Sequence, residues 1–169
     1  LRVLLEVDVG MGRCGVPAGE PVLALAQRVA ALAGLRLEGI MGYEGHAVMI
    51  PDYEERRAVA EKAMATLVSA RDLLQRRGLP VGIVSGGGTG TYDITGAYPG
   101  ITEVQAGSYA TMDGRYLSVG VDFAPALTAA QAARMLRDMV LIRRFDTEST
   151  ALQRKGQPSL WAPLLGQEA

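Results

Sequence analysis

The sequence predicts an α/β fold in which parallel strands are separated by helices. Apolar runs of strand length alternate with segments whose apolar residues recur at helical spacing, and glycine follows each predicted strand. Such strands pair in parallel through right-handed crossovers, and ligands bind at their carboxyl ends. The 169 residues, 49% hydrophobic and 21% charged, suffice for one globular domain with an ordinary core.

The first two predicted strands each precede a helix. They are LRVLLEVDVG, residues 1–10, and LRLEGIMGYEGH, residues 35–46. The helix in GEPVLALAQRVAALAGL has apolar residues at helical spacing, namely Val22, Leu25, Ala26, Val29 and Leu32. The helix after Pro51 runs from about Tyr53 to Arg77, and its apolar face consists of Val59, Ala63, Met64, Leu67 and Leu74.

Two more strands and a final helix complete the prediction. LPVGIVSGG and ITEVQAGSY are the third and fourth strands, and TYDITGAYPG between them is a turn-rich connection. From about Ala129 a long helix contains the apolar residues Met135, Met139, Ile142 and Leu152. A break at Gly156 to Pro158 and an apolar segment around Trp161 follow this helix.

Composition argues against several classes of function. A net charge of -1 and a pI near 5.9 give no basic surplus for binding nucleic acid or an anionic membrane. The single cysteine, Cys14, excludes an intramolecular disulfide and a multi-cysteine zinc site. A single cysteine fits a reducing compartment, so we expect a cytoplasmic protein. No apolar run approaches the length of a membrane span. The chain opens on Leu1 inside a predicted strand, which indicates the middle of a longer protein.

Glycine-rich loops with polar neighbours end all four strands: VDVGMGRCG, GYEGH, SGGGTG and QAGSY. Backbone amides in such loops can approach an anion closely, which favours a shared phosphate-binding site. SGGGTGTYD lacks the lysine of a nucleoside triphosphate loop and the third glycine of a dinucleotide fingerprint. A small phosphorylated cofactor or a sugar phosphate remains.

The motifs LEVDVGMGRCGV, GIMGYEGHAV, SGGGTGTYD and TEVQAGSYATMD, with DFAPAL after them, resemble the D-threonine aldolase and D-serine dehydratase group. These are pyridoxal phosphate enzymes of the alanine racemase fold. Their (β/α)8 TIM-type barrel holds the cofactor at its strand ends, and a second, all-β domain completes the active site. The resemblance covers about residues 1–127 and implies that the four strands are the later half of this barrel.

The resemblance also implies roles for individual residues. Arg13 would lie near the phenolic oxygen of the cofactor, and His46 against its ring, so these two are the catalytic candidates. Gln105 would lie near the pyridine nitrogen, while the loops after the third and fourth strands would bind the phosphate. The implied cofactor-binding residues are Arg13, Tyr43, His46, Ser85, Gly86, Gly87, Gln105, Gly107, Ser108 and Tyr109. The substrate would be a D-configured β-hydroxy amino acid.

The chain departs from this family in its lysines. Pyridoxal phosphate chemistry needs a lysine amine, and the only two lysines, Lys62 and Lys155, lie outside the motifs. In the family that lysine belongs to an earlier strand, and the divalent metal site belongs to the C-terminal domain, so no metal site is predicted here. We therefore expect the chain alone to be inactive as an aldolase. Half a barrel also leaves two open edge strands, which predicts self-association.

Residues 128–169 form a second predicted unit, a C-terminal helical extension. RDMVLIRRFDTE and LQRKGQPSLWAPLLGQEA resemble the N-terminal segment of the alpha subunit of thiamin diphosphate-dependent 2-oxoacid dehydrogenases. An amphipathic helix that caps the sheet is the alternative interpretation.

Three hypotheses about function therefore stand. The first is a partial pyridoxal phosphate-dependent lyase, and the second is a 2-oxoacid dehydrogenase alpha subunit with a foreign N-terminal segment. The third is a noncatalytic module that binds phosphate or pyridoxal reversibly.

Overall fold

The computed structural model describes residues 1–110, 114–120 and 129–154. The chain divides into two compact units, Leu1–Ala124 and Pro125–Ala169. The described residues of the first unit contain five strands: β1 (Arg2–Asp8), β2 (Val16–Pro17), β3 (Arg36–Met41), β4 (Ile83–Gly86) and β5 (Glu103–Val104). Its helices are α1 (Glu20–Ala31), α2 (Tyr53–Arg76), α3 (Tyr92–Ala97) and the 3₁₀ segments Ser108–Ala110 and Gly114–Val119. In the second unit the structure describes α4 (Ala129–Arg154).

The strands form one parallel sheet in the order β2-β1-β3-β4-β5. The predicted α/β class with parallel pairing is confirmed. β2 is an addition to the four predicted strands, because the loop after β1 turns back and pairs with the last two residues of β1. The two edge strands, β2 and β5, have two residues each.

A bulge at Glu38 determines which side chains face each side of the sheet. Val3 pairs with Leu37 but Leu4 pairs with Gly39, so Glu38 is an extra residue in β3. Both Leu37 and Ile40 consequently reach the core between the sheet and the helices. On the opposite face, four residues lie side by side across β1, β3, β4 and β5: Glu6, Met41, Ser85 and Glu103.

Helices α1 and α2 cover the core face of the sheet. α1 begins after Gly19 with a proline in its first turn, which suits the fixed φ of proline. The Asp52 carboxylate caps α2 by accepting the Glu55 amide at 2.8 Å. The core contains the predicted apolar residues Val22, Ala26, Val29, Ala63, Met64, Leu67 and Leu74.

Two sequence predictions about the helices were wrong. Leu32 lies beyond the end of α1 as its C-cap and is 55% exposed, so it does not belong to the apolar face. TYDITGAYPG is not only a turn-rich connection, since Tyr92–Ala97 form α3. Six residues are too few to show helical periodicity, and Gly96 and Pro99 suggested turns.

The α4 helix begins at Ala129 as predicted. Met135 and Met139 are half-buried, whereas Leu136, Val140, Leu141 and Phe145 are exposed. The Gly156 to Pro158 break and Trp161 lie outside the described residues. In the part of the chain that the structure describes, no helix is long and apolar enough to cross a membrane.

Candidate cofactor cleft

The carboxyl ends of the parallel strands bring four loops together at one edge of the sheet. These loops follow β1, β3, β4 and β5, and they contain the predicted site residues. A cleft of about 290 Å³ opens between them. Its lining consists of Arg13, Met41, Tyr43, Gly88, Thr89, Gln105, Gly107, Ser108 and Tyr116.

Asp8 organises the loop that follows β1. Its Oδ1 atom accepts the amides of Gly10 at 2.9 Å and Gly12 at 3.1 Å, and both glycines have positive φ. The hydrogen bonds from Gly12 and Gly10 lower the pKa of the Asp8 carboxyl, because they stabilise its charged form. This turn leads directly to Arg13, which is exposed and lines the cleft.

Tyr43 is the aromatic wall of the cleft. Its ring lies against two backbone positions, because a Cβ atom would meet the ring at 2.5 Å from Gly45 and at 3.1 Å from Gly88. The Arg13 guanidinium carbon lies 5.7 Å from the ring centroid, within the range of a cation–π contact. Burial raises the pKa of the Tyr43 phenol, and the neighbouring Tyr116 and Glu44 raise it further.

Glu44 is a fully buried carboxylate that joins the loop after β3 to the loop after β4. Oε2 accepts the Gly87 amide at 3.0 Å. Oε1 accepts the hydroxyls of Thr91 at 2.7 Å and Thr95 at 2.6 Å. The Thr91 oxygen in turn accepts the Gly88 amide at 3.1 Å. A buried carboxylate needs such donors, so Glu44 fixes the loop on which Gly87 and Gly88 lie.

The glycines of SGGGTGTYD allow close packing between backbone segments. Gly87 has a φ of 80°, which disfavours other residues. A Cβ at Gly90 would overlap the Val48 carbonyl, and a Cβ at Gly86 would lie 3.0 Å from the Gly42 oxygen. Because the amides of Gly87 and Gly88 donate to Glu44 and Thr91, both have acceptors inside the chain.

Ser85 on β4 contacts β5 through a side-chain hydrogen bond and does not line the cleft. Its hydroxyl donates to Glu103 Oε1 at 2.7 Å and accepts Gln105 Nε2 at 3.0 Å. Ser85 is buried at 1% exposure, whereas Gln105 is half-buried and lines the cleft. Ser85 and Gln105 therefore contact each other, although the sequence analysis gave them separate roles.

Five predicted residues line the cleft, namely Arg13, Tyr43, Gln105, Gly107 and Ser108. The other five, His46, Ser85, Gly86, Gly87 and Tyr109, lie outside this lining. The exposed His46 ring lies over Gly10, where a Cβ would meet His46 Cε1 at 3.3 Å. The Tyr109 amide donates to Thr89 Oγ1 at 3.2 Å. The cofactor roles of all ten residues stay predictions.

Sequence reasoning missed several residues of this site. Glu44 stands inside the quoted motif GYEGH, and a charged residue between glycines at a strand end was a usable signal. Tyr116 belongs to the 3₁₀ segment Gly114–Val119, well after the last predicted strand. It packs with Val48 and Val119 against Tyr43, which only the folded chain shows.

No group of three or more His, Cys, Asp or Glu side chains suited to a metal ion occurs among the described residues. Lys62 is exposed on α2, and Lys155 lies outside the described residues.

Comparison with known proteins identifies a family and relatives for the first unit of the chain. The family described as alanine racemase, N-terminal domain, matches residues 1–114. D-Threonine aldolase of Arthrobacter sp is 44% identical over 116 residues, which are 69% of this chain and 31% of the relative. The 3-hydroxy-D-aspartate aldolase of Paracoccus denitrificans (strain Pd 1222) is 40% identical over 116 residues, which are 69% of this chain and 30% of the relative.

Solved structures give a consistent result. D-Threonine aldolase from Filomicrobium marinum matches with a TM-score of 0.67 and 35% identity, over 74% of this chain and 33% of that one. D-threo-3-hydroxyaspartate dehydratase from Delftia sp. HT23 matches with a TM-score of 0.65 and 32% identity, over 72% of this chain and 32% of that one. The chain thus spans about a third of the length of the relatives it matches. These comparisons do not support the resemblance of residues 128–169 to a dehydrogenase subunit.

Replacement of Glu44 by glutamine is expected to destabilise the chain. In one orientation the amide nitrogen would face the Gly87 amide, donor against donor. In the other it would donate to the two threonine hydroxyls, whose own protons would lose their acceptor, and a buried donor without an acceptor costs about 1–3 kcal/mol. Urea denaturation of wild type and Glu44→Gln measures this loss. The matched control is Glu54→Gln on the exposed first turn of α2, expected within about 0.5 kcal/mol of wild type. Equal stability of wild type and Glu44→Gln would contradict the assigned role.

The Asp8 carboxyl is expected to titrate at lower pH in the folded chain than in the urea-unfolded chain. A folded pKa that is depressed contributes stability above the unfolded pKa of about 3.9. This contribution is lost as pH falls through the folded pKa. NMR titration of the Asp8 side-chain carbon in both states measures the two midpoints, and Asp8→Asn should show the smaller loss of stability over that acidic range. Identical midpoints would show that the amides of Gly10 and Gly12 do not stabilise the carboxylate.

Proposed function

We propose that the chain, which belongs to the alanine racemase N-terminal domain family, forms the cofactor-binding part of a pyridoxal phosphate-dependent lyase. Membership of this family confirms the predicted fold class, α/β of the (β/α)8 barrel type. The proposed substrates are D-configured β-hydroxy amino acids, since the relatives include a D-threonine aldolase and a 3-hydroxy-D-aspartate aldolase. Retro-aldol cleavage is the proposed reaction, and elimination is the variant that a dehydratase relative suggests.

The lining of the cleft carries this proposal. It combines one guanidinium, Arg13, with the phenols of Tyr43 and Tyr116, the Gln105 amide and the Ser108 hydroxyl. A cation beside aromatic rings and neutral polar groups suits a planar ligand that carries a phosphate. The donor set therefore fits pyridoxal phosphate without covalent attachment.

The residues that line the cleft have different proposed roles in binding the cofactor. Gly107 and Ser108 would hold the phosphate, because their backbone and hydroxyl line the cleft after β5. Tyr43 would contact the ring, and Gln105 would lie at its nitrogen. The amides of Gly87 and Gly88 contribute indirectly, by keeping the loop after β4 attached to Glu44 and Thr91.

When bound, pyridoxal phosphate supplies an electron sink for the bond that breaks at the substrate α-carbon. Arg13 would place a fixed positive charge beside the phenolic oxygen and favour its anionic form. His46 lies over Gly10, in the loop that carries Arg13, and would stack on the bound ring or relay a proton between the ligand and solvent. Both residues are exposed, so each can reach a ligand that enters from solvent.

The chain alone is proposed to bind the cofactor without catalysing the reaction. Lys62 is exposed on α2 and does not belong to the lining of the cleft. The two-residue strands β2 and β5 at the sheet edges are the proposed sites of pairing with further barrel strands or a second copy.

A reversible pyridoxal phosphate-binding module is the second candidate, favoured by the same position of Lys62 outside the cleft. The two candidates differ in whether catalysis appears when the remaining two thirds of an aldolase are supplied. The 2-oxoacid dehydrogenase interpretation of residues 128–169 stays a prediction.

Substitution of Arg13 by glutamine is expected to weaken pyridoxal phosphate binding about tenfold or more. A hydrogen bond to a charged group contributes roughly 1.5–3 kcal/mol, and 1.4 kcal/mol corresponds to a tenfold change in affinity. Titration calorimetry of wild type and Arg13→Gln measures the two dissociation constants. The matched control is Arg28→Gln on the exposed face of α1, expected to bind like wild type. Equal weakening in both variants would indicate binding by general charge and contradict a specific site at the cleft.

The purified chain is expected not to cleave D-threonine in the presence of pyridoxal phosphate and a divalent metal ion. The physical reason is that Lys62 lies outside the cleft and cannot present its amine there. Release of acetaldehyde is compared with a reaction that contains the cofactor and metal but no protein. Chain-dependent release by wild type would contradict this prediction, and its loss in Lys62→Arg would identify Lys62 as the amine.

A further inference from the structure

The Ser85 hydroxyl lies between two polar side chains that the function proposed above does not explain. It is 2.7 Å from Glu103 Oε1 and 3.0 Å from Gln105 Nε2. Ser85 and Glu103 face each other directly across the pairing of β4 and β5. Ser85 is 1% exposed, so these two partners account for its hydroxyl.

The direction of the two hydrogen bonds follows from the number of protons available. A serine hydroxyl carries one proton, and a carboxylate can only accept. The Ser85 proton therefore goes to Glu103, and the Ser85 oxygen must accept from its other neighbour. Only the NH₂ end of the Gln105 carboxamide can donate, so that end faces Ser85.

The backbone holds Gln105 in the same place. Its amide donates to the Gly86 carbonyl at 2.8 Å, which continues the β4–β5 ladder by one step. Gln105 is therefore held at its main-chain amide, and its side chain is held at the NH₂ group. Ser85 takes one N–H of the NH₂ group, so a second N–H and the carbonyl oxygen remain, and the carbonyl oxygen is the one acceptor that the side chain can offer a ligand in the cleft.

We propose that Ser85 and Glu103 are positioning residues that make Gln105 present an acceptor oxygen to the cleft. This inference rests on the proposed function and extends it to the chemical class of the contact. A ligand that satisfies this oxygen carries an N–H donor on its ring, as a protonated pyridine nitrogen does. The role of Ser85 is then to orient Gln105, and its proton is not available to a phosphate.

The test compares two ligands that differ only in the ring nitrogen. Pyridoxine 5′-phosphate has an alcohol in place of the aldehyde, so it forms no adduct with Lys62. Its 1-deaza analogue has a C–H group in place of the ring nitrogen. Dissociation constants for both ligands are measured by calorimetry with wild type, Ser85→Ala, Glu103→Gln and the control Glu54→Gln.

Wild type and Glu54→Gln are expected to bind the nitrogen-containing ligand at least about tenfold more tightly, the effect of one hydrogen bond from a charged donor. Ser85→Ala removes the partner of the NH₂ group, and Glu103→Gln removes the group that can only accept. In both variants the Gln105 carboxamide is no longer held in one orientation, so the preference for the nitrogen-containing ligand should fall below that of wild type. A general loss of fold would weaken the binding of both ligands, so the ratio is compared only for variants whose circular dichroism spectrum and thermal unfolding match those of wild type.

The binding results distinguish a failure of the positioning role from a failure of the proposed function. If both variants keep the wild-type preference, the positioning role of Ser85 and Glu103 is wrong while the proposed function stands. If wild type binds neither ligand, the proposed function fails, and the ligand contact of Gln105 fails with it.

The NMR signals of the Gln105 NH₂ group in the ligand-free chain provide the second measurement. They should shift in Ser85→Ala and Glu103→Gln, and unchanged signals would overturn the hydrogen-bond chain itself.

Discussion

The buried carboxylate of Glu44 is the interaction on which the cleft depends. It lies in the loop after β3 and accepts three hydrogen bonds from Gly87, Thr91 and Thr95, which all follow β4 in the chain. A charge with no exposure to solvent is tolerated only when its lone pairs are satisfied, so the loop after β4 has one favourable position. That position places Gly88 against the Tyr43 ring and so forms one wall of the cleft.

Glycine serves this arrangement chiefly through its missing side chain. Gly86, Gly88 and Gly90 each lie where a Cβ would meet a neighbouring backbone or ring. Glycine loops at strand ends are often read as anion cradles, and here two of the amides already have acceptors within the protein. The loop after β4 thus shapes the cleft, while the loops after β1 and β5 offer the exposed donors.

Much of the fold was predictable because it depends on local patterns. The helical spacing of Ala63, Met64, Leu67 and Leu74 identified α2 and its buried face, and strand-helix alternation gave the parallel sheet. The two-residue strand β2 and the six-residue helix α3 escaped prediction, since neither is long enough to show a period. The site was predicted in part, because strand ends converge in any parallel sheet and Arg13, Tyr43 and Gln105 follow strand ends.

The fold class, the four strand ends and the residue types at them could all be predicted from the order of the amino acids. Which of those residues contact one another became known from the folded chain alone. Glu44 finds its partners 43, 47 and 51 residues away, and Ser85 meets Glu103 through the register of β4 and β5. The physical reason is that periodicity reports the conformation of neighbouring residues. Hydrogen bonds between loops depend on strand register and backbone approach, and these are fixed only when the sheet has formed.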